Sequence, residues 1–412
     1  MLTTAVVTDD SAVSLHQFAP SHDLRMKIAG IFSNLSIRSR DSADLHTRQY
    51  VDAIAAAGAD WSIIVFADGS AFDRRNPPPG NVTVLHSSRK FPVLAAKVGL
   101  DVAIWKLSGH KRGIVKAFCE MVDRDRPDLL LYDGLPVAPL SLIYPEIPAV
   151  LACVDAMSLR QLRLAARTRN PLRLADHLMR LVASYTLEKL FLGRVAAVHV
   201  VSEVDAAYLQ RLSPRAKVYA IPIVTPVEAR APLPDKDRNR FVLWGDVSVS
   251  YLRAGIFNFL KTVPAKLGGV RFVIVGRHAP DPELKALIAL HPNVEFLDWV
   301  DDLTALIAAS AAVILPDASG TGIKNRTLHA LALGTAVIGS PSALEGIPVA
   351  SGTNAFECNT ADEFVAAIHV IRNEPATAAA IEQAGPHLID ERYSRRVVGG
   401  QWMALLQSLM AR

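Results

Sequence analysis

The 412-residue sequence is poor in cysteine: Cys119, Cys153 and Cys358 lie far apart and form no CxxC pair. This argues against a disulfide scaffold or a cysteine-based zinc site and is typical of a reducing compartment. No stretch reaches the roughly 20 apolar residues that cross a bilayer. Residues 1–19 contain two aspartates and lack the basic and then apolar order of a signal peptide. We therefore expect a cytoplasmic location.

The sequence also has few aromatic residues, 7% of the chain, and no nucleic-acid-binding motif, so we expect no nucleic acid partner. Its charge is unevenly divided, with +6 in residues 1–225 and −2 in residues 226–412. Residues 89–116 hold seven cations and one acid, and residues 159–194 hold eight cations and two acids. Both stretches are also apolar. They fit either solvated helix faces over a core or a peripheral contact with an anionic membrane.

Short apolar runs alternate with longer helical patterns through most of the chain. The runs are continuous rather than alternating with polar residues, as in strands that are covered on both faces. Their alternation with helices predicts an α/β fold with parallel sheets. The predicted strands are 27–32, 62–66, 82–85, 129–132, 149–154, 196–201, 241–244, 271–275, 294–297, 311–315 and 336–338.

A break separates the runs into two groups. Residues 221–240 contain four prolines and a cluster of charges, which favour neither a long helix nor a central strand. We predict a Rossmann-like domain over 1–225, a linker over 226–240 and a second Rossmann-like domain over 241–390. Residues 391–412 form a helix that we expect to return to the first domain. Two such domains create one cleft between the carboxyl ends of their strands.

The most informative segment is residues 311–347, AAVILPDASGTGIKNRTLHALALGTAVIGSPSALEGI. It predicts a buried strand, a loop of small residues and a helix that ends at Gly334. At the carboxyl edge of a parallel sheet, the free N–H groups and the dipole of such a helix favour an anion. Lys324 and Arg326 oppose the dipole in the first turn, and a bound diphosphate would reverse that effect. The alternative is a glycine loop followed by solvent-facing cations.

This segment resembles the donor-binding loop and helix of family 4 glycosyltransferases, which have the GT-B fold, and especially bacterial exopolysaccharide enzymes with GxxNKxxEAxAxGxPVV. The matching positions include Gly322, Asn325, Arg326 and His329. The resemblance implies that Arg326 contacts the diphosphate of a nucleotide sugar such as a UDP-sugar. It places His329 where the family has a glutamate that binds the ribose hydroxyl groups. A neutral imidazole has only one acceptor there.

The resemblance extends over most of the second half. FVLWGDVSVSYLRAGIFNFL is similar to the first strand and glycine loop of the donor domain, with Gly245 close to the donor. RFVIVGR resembles the next strand and turn and ends at Arg277. SALEGI matches the loop after a later strand, which implies that Glu345 reaches the sugar or the diphosphate.

In the first half, IPAVLACVDAMSLRQL places Asp155 directly after a predicted strand. It resembles the aspartate of xanthan-type glucuronosyltransferases that deprotonates the acceptor, which makes Asp155 the catalytic candidate. Asp155 also fits as the N-cap of a helix beginning at Ala156. Asp133 and His46 are weaker candidates. Family 4 resemblance implies retention of anomeric configuration, whereas the Asp155 match implies inversion.

No DxD pair ends a predicted strand, and no HExxH or His/Cys cluster is present, so we expect neither a metal nor another cofactor. The function expected from these features is transfer of a nucleotide-activated sugar to a glycan or polyprenyl-linked acceptor in bacterial polysaccharide synthesis. Two alternatives stay open: a sugar-nucleotide epimerase of the same fold, and a non-catalytic nucleotide- or glycan-binding partner.

Overall fold

The computed structural model describes residues 26–32, 42–56, 58–67, 79–86, 91–225, 227, 235–276 and 279–411. The strands of the first domain are β1 (Lys27–Phe32), β2 (Asp60–Ala67), β3 (Asn81–His86), β4 (Leu129–Asp133), β5 (Ala149–Val154), β6 (Ala197–Val200) and β7 (Val218–Ala220). Its helices are α1 (Ser42–Ala56), α2 (Phe91–Ser108), α3 (Gly113–Asp125), α4 (Met157–Arg167), α5 (Pro171–Phe191) and α6 (Glu203–Leu212).

The first sheet has the order β3-β2-β1-β4-β5-β6-β7, with every pair parallel. Its central strands β1, β4 and β5 are almost completely buried, because helices cover both faces. The strand order changes direction between β1 and β4. In an open parallel sheet, ligands bind outside the carboxyl ends of the strands at such a point.

The second domain repeats this arrangement. Its strands are β8 (Asp237–Trp244), β9 (Arg271–Val275), β10 (Val294–Leu297), β11 (Ser310–Leu315), β12 (Ala336–Gly339) and β13 (Phe356–Glu357), in the all-parallel order β10-β9-β8-β11-β12-β13. Its helices are α7 (Ser250–Thr262), α8 (Pro282–Ala289), α9 (Leu303–Ala308), α10 (Asn325–Ala332), α11 (Pro341–Leu344), α12 (Ala361–Asn373) and α13 (Pro375–Arg392). The two parallel sheets confirm the predicted α/β class.

The predicted linker over 226–240 extends too far. Strand β8 begins at Asp237, because Asp237 pairs with Ser310 and Arg240 pairs with Arg271 in the sheet. The prolines of this segment all precede the strand, so none of them interrupts its hydrogen bonds. The apolar runs also do not predict β7 and β13, which are short strands at the sheet edges.

The last helix, α14 (Arg395–Met410), packs on α1 of the first domain. Trp402 of α14 is buried and stacks on Tyr50 with ring centroids 4.9 Å apart. At the crossing, the Thr225 N–H donates a hydrogen bond of 2.9 Å to the Tyr393 carbonyl. The two stretches of chain that connect the domains therefore lie side by side. In the described part of the chain, no helix is long and apolar enough to span a bilayer.

Candidate functional site

Asp155 follows a strained turn at the carboxyl end of β5. The Asp155 N–H donates to the Cys153 carbonyl at 2.8 Å, and the residue between them, Val154, has φ +63°. This is a γ-turn of the strained, positive-φ kind, and a β-branched residue rarely adopts it. The pairing of β5 with β6 also shifts between Ala152 and Val154. Strain of about 1–3 kcal/mol per residue tends to occur at functional sites.

The prediction that Asp155 caps α4 is wrong. The helix begins at Met157, and its N-cap residue is Ala156. The Ala156 N–H donates a hydrogen bond of 3.1 Å to the carboxylate of Asp205. Asp205 lies in the first turn of α6 and also accepts a hydrogen bond from the Ser202 hydroxyl. Burial, followed by repulsion from Asp155, raises the pKa of Asp205 to about 6. Asp155 is therefore held through its backbone, and its carboxylate does not serve as the cap.

Gly322 of the second domain lies directly against Asp155. The glycine is buried and has φ +66°, and a Cβ at this position would overlap the Oδ1 atom of Asp155. The same Cβ would lie 3.3 Å from Cγ2 of Val201, which follows β6. The structure thus brings together two residues that the sequence singled out independently, one from each domain.

The cations beside this loop have internal partners. Arg326 donates one hydrogen bond to the Trp244 carbonyl and one to Asp317, each at 2.7 Å. Lys324 is the N-cap residue of α10 and donates to the carbonyls of Thr321 and Gly322 at 2.6 and 2.7 Å. Burial lowers the pKa of Lys324, and the nearby Asp155 opposes this shift. Asp317 therefore neutralises Arg326, whereas the hydrogen-bond partners of Lys324 are uncharged carbonyl oxygens.

Gly245 follows Trp244 in the chain, and His329 contacts the Trp244 ring. A Cβ on Gly245 would lie 3.2 Å from Nη1 of Arg326, so the glycine leaves space for that guanidinium. The His329 ring meets the Trp244 ring edge to face at 5.0 Å, and its Nε2 atom is 3.5 Å from the Thr304 hydroxyl. Burial lowers the pKa of His329 to about 4, so the imidazole is neutral near pH 7.

Glu345 binds a residue of the opposite domain. Arg163 of α4 donates through Nη1 to both carboxylate oxygens of Glu345, at 2.8 and 2.9 Å, and to the Gly320 carbonyl at 2.8 Å. Both side chains are partly buried. This ion pair joins the helix after Asp155 to the donor loop. No sequence signal singled out Arg163.

The other candidates are dispersed. Asn325 is the first residue of α10 and is half-buried. Arg277 and the side chain of His46 lie outside the described residues. Asp133 is buried and accepts hydrogen bonds from the hydroxyl groups of Thr47 and Tyr50 on α1. Asp133 therefore ties α1 to the sheet rather than serving as a turn residue.

Sequence reasoning missed Asp317, Asp205 and Trp244. The position of Asp317 next to Pro316, just beyond a buried strand, is a signal that could have identified it. Within the described ranges, no group of three or more His, Cys, Asp or Glu side chains is arranged to hold a metal ion.

Two parallel-sheet domains whose loops meet at a polar cleft have the architecture of the GT-B fold, and comparison with known proteins agrees. Residues 238–373 match the family model for glycosyl transferases group 1. Sucrose-phosphate synthase from Thermosynechococcus elongatus has a TM-score of 0.69 at 17% identity, covering 94% of this chain and 100% of that chain. HepE from Anabaena in complex with UDP has a TM-score of 0.62 at 15% identity, covering 93% and 100%.

A glycosyltransferase from Rickettsia africae has a TM-score of 0.64 at 13% identity, covering 94% of this chain and 99% of that chain. No curated protein sequence matches the chain significantly. The chain therefore has the GT-B fold, and the similarity to glycosyl transferases group 1 is confined to its second domain.

Proposed function

We propose that the protein transfers a sugar from a nucleoside diphosphate donor to a glycan or lipid-linked glycan in bacterial polysaccharide synthesis. The observation that carries the proposal is the contact between Asp155 and Gly322. It places a carboxylate of one domain against the glycine loop of the other. The family match over residues 238–373 supports the donor side. HepE has been solved with UDP and with UDP-glucose, which favours UDP as the first nucleotide to test.

The donor would bind at the loop before α10. Arg326 already forms an ion pair with Asp317, so a diphosphate would bind to a paired cation rather than to a free one. Neutral His329 offers one donor and one acceptor to ribose hydroxyl groups. The proposed donor-binding residues are Gly245, Arg277, Gly322, Asn325, Arg326, His329 and Glu345.

Asp155 would act as the general base. It takes the proton of the acceptor hydroxyl, the acceptor oxygen bonds to the anomeric carbon, and the nucleoside diphosphate leaves with the bonding electrons. This direct displacement inverts the anomeric configuration. A retained configuration in the product would refute the base role of Asp155 but not the transfer itself.

Radiolabelled UDP-sugars with a panel of glycan acceptors test the proposal, with product configuration read by proton NMR. We expect Asp155→Asn to lower transfer by about 100-fold or more, within the range for loss of a general base, while UDP binding persists. Asp176→Asn, at a half-buried acid of α5 that pairs with Arg180, is the matched control. Chelation with EDTA should leave transfer unchanged, because we propose no metal. Donor epimerisation without transfer would favour the epimerase, and binding without turnover would favour the non-catalytic partner.

Peripheral contact with the inner face of the cytoplasmic membrane forms a second part of the proposal. Helix α5 packs one side on the domain and exposes apolar side chains on the other, including Leu172 at 81%, Met179 at 58% and Val182 at 66%. On α2, Leu107 is 89% exposed. Basic residues flank both surfaces within 89–116 and 159–194. An apolar face with a basic rim suits an anionic bilayer.

Sedimentation with phosphatidylglycerol vesicles at low salt tests the membrane contact. We expect the wild-type protein to bind these vesicles and Val182→Glu to reduce binding, because a charge replaces an apolar side chain that would enter the bilayer. Leu290→Glu, at a 73% exposed leucine of the second domain, controls for a general effect of added charge. Absence of wild-type binding, or equal loss in both variants, would remove this part of the proposal.

A further inference from the structure

A cavity of about 190 Å³ lies between the domains, and Ser319 and Gly320 of the loop that contacts Asp155 form part of its wall. Its walls include Arg160, Arg163 and Leu164 of α4, His177 of α5, and Val249 and Tyr251 of the second domain. The α4 residues have i, i+3 and i+4 spacing and therefore share one face of the helix. Because α4 starts two residues after Asp155, the cavity adjoins the proposed base.

The cavity has an excess of positive charge. None of the described residues that line it is an Asp or a Glu. Arg163 is neutralised by Glu345, but Arg160 is exposed and makes no hydrogen bond or ion pair through its side chain in the part of the chain that the structure describes. Leu164, Val249 and Tyr251 provide apolar surface beside this guanidinium. A guanidinium fork next to apolar walls suits a phosphate that is attached to a less polar group.

We infer that this cavity binds a phosphate carried by the acceptor, with Arg160 as its main ligand. The inference rests on the proposed function, because only a transferase has a separate acceptor for the cavity to bind. It restricts the class of acceptors to phosphorylated molecules. The phosphate belongs either to a lipid carrier or to a sugar phosphate.

Titration calorimetry with geranyl phosphate, geraniol, glucose 6-phosphate and glucose tests the inference. At least one phosphorylated probe should bind more tightly than its uncharged counterpart, and Arg160→Gln should weaken it by about tenfold or more. Arg167→Gln removes an exposed cation from the same helix outside the cavity and should leave binding unchanged. Tighter binding of geranyl phosphate identifies a lipid source, and tighter binding of glucose 6-phosphate identifies a sugar source.

UDP binding by the same variants separates this inference from the proposed function. Arg160→Gln should bind UDP as the wild type does. If its affinities for UDP and for the phosphate probes fall by the same factor, the cavity is part of the donor site and the inference is overturned. It is also overturned if no phosphate probe binds the wild type, or if both arginine variants weaken binding equally. Failure of the wild type to bind UDP counts against the proposed function alone.

Discussion

Replacing Gly322 with alanine should destabilise the protein by more than its backbone conformation explains. At φ +66° a Cβ costs about 1–2 kcal/mol in the left-handed region. The same Cβ would also overlap Oδ1 of Asp155 in the opposite domain. Overpacking of this kind costs about 1–3 kcal/mol. We therefore expect a total loss of about 2–5 kcal/mol, together with lower transfer because the base and the donor loop are pushed apart.

Urea unfolding of Gly322→Ala and Gly352→Ala measures the two contributions separately. Gly352 has φ +80°, but a Cβ there would meet only Phe356 Cε1 at 3.9 Å. Gly352→Ala therefore reports the backbone contribution alone, about 1–2 kcal/mol. Adding Asp155→Ala to Gly322→Ala removes the overlapping carboxylate, so the cost of Gly322→Ala should fall towards that of Gly352→Ala, with the 3.3 Å contact to Val201 left in place. This coupling is measured by a double-mutant cycle.

Equal destabilisation by the two alanine variants, with no coupling to Asp155, would refute the reasoning. It would mean that Asp155 and Gly322 are not in contact in solution. The observation that carries the proposed function would then be lost as well.

Three other perturbations test separate contacts. Asp205→Asn should gain about 2 kcal/mol relative to the wild type between pH 4 and pH 7, because the raised pKa of Asp205, about 6, makes its ionisation less favourable in the native state than in the unfolded state. Urea unfolding at each pH measures this gain, and a difference that stays constant with pH contradicts it. Arg326→Met should lower the free energy of unfolding by about 3–5 kcal/mol, because the buried Asp317 carboxylate is left without its cation. Adding Asp317→Asn should recover most of this stability in the same assay. Arg163→Glu should separate the domains and so increase the radius of gyration measured by X-ray scattering, and the charge swap Arg163→Glu with Glu345→Arg should reverse the increase. An unchanged radius in Arg163→Glu would mean that this ion pair does not hold the domains together.

The fold is largely determined by local sequence patterns. Continuous apolar runs such as 129–132 and 311–315 must be covered on both faces, and the structure places them in central parallel strands. The short strands β7 and β13 escaped prediction because an edge strand of two or three residues has too little apolar sequence to form a run. The position of Asp155 after β5 also follows from the sequence, since a polar residue ends the run.

Only the tertiary structure decided which charges meet. Arg326 and Lys324 look unpaired in the sequence, but chain folding brings Asp317 and loop carbonyls to them. Arg163 and Glu345 are 182 positions apart and meet only because the domains dock. The periodicity of apolar residues indicates which face of a helix or strand is buried, but not which distant residue packs against that face. Which acid pairs with which cation depends on how the two domains pack together, and no local sequence pattern specifies this.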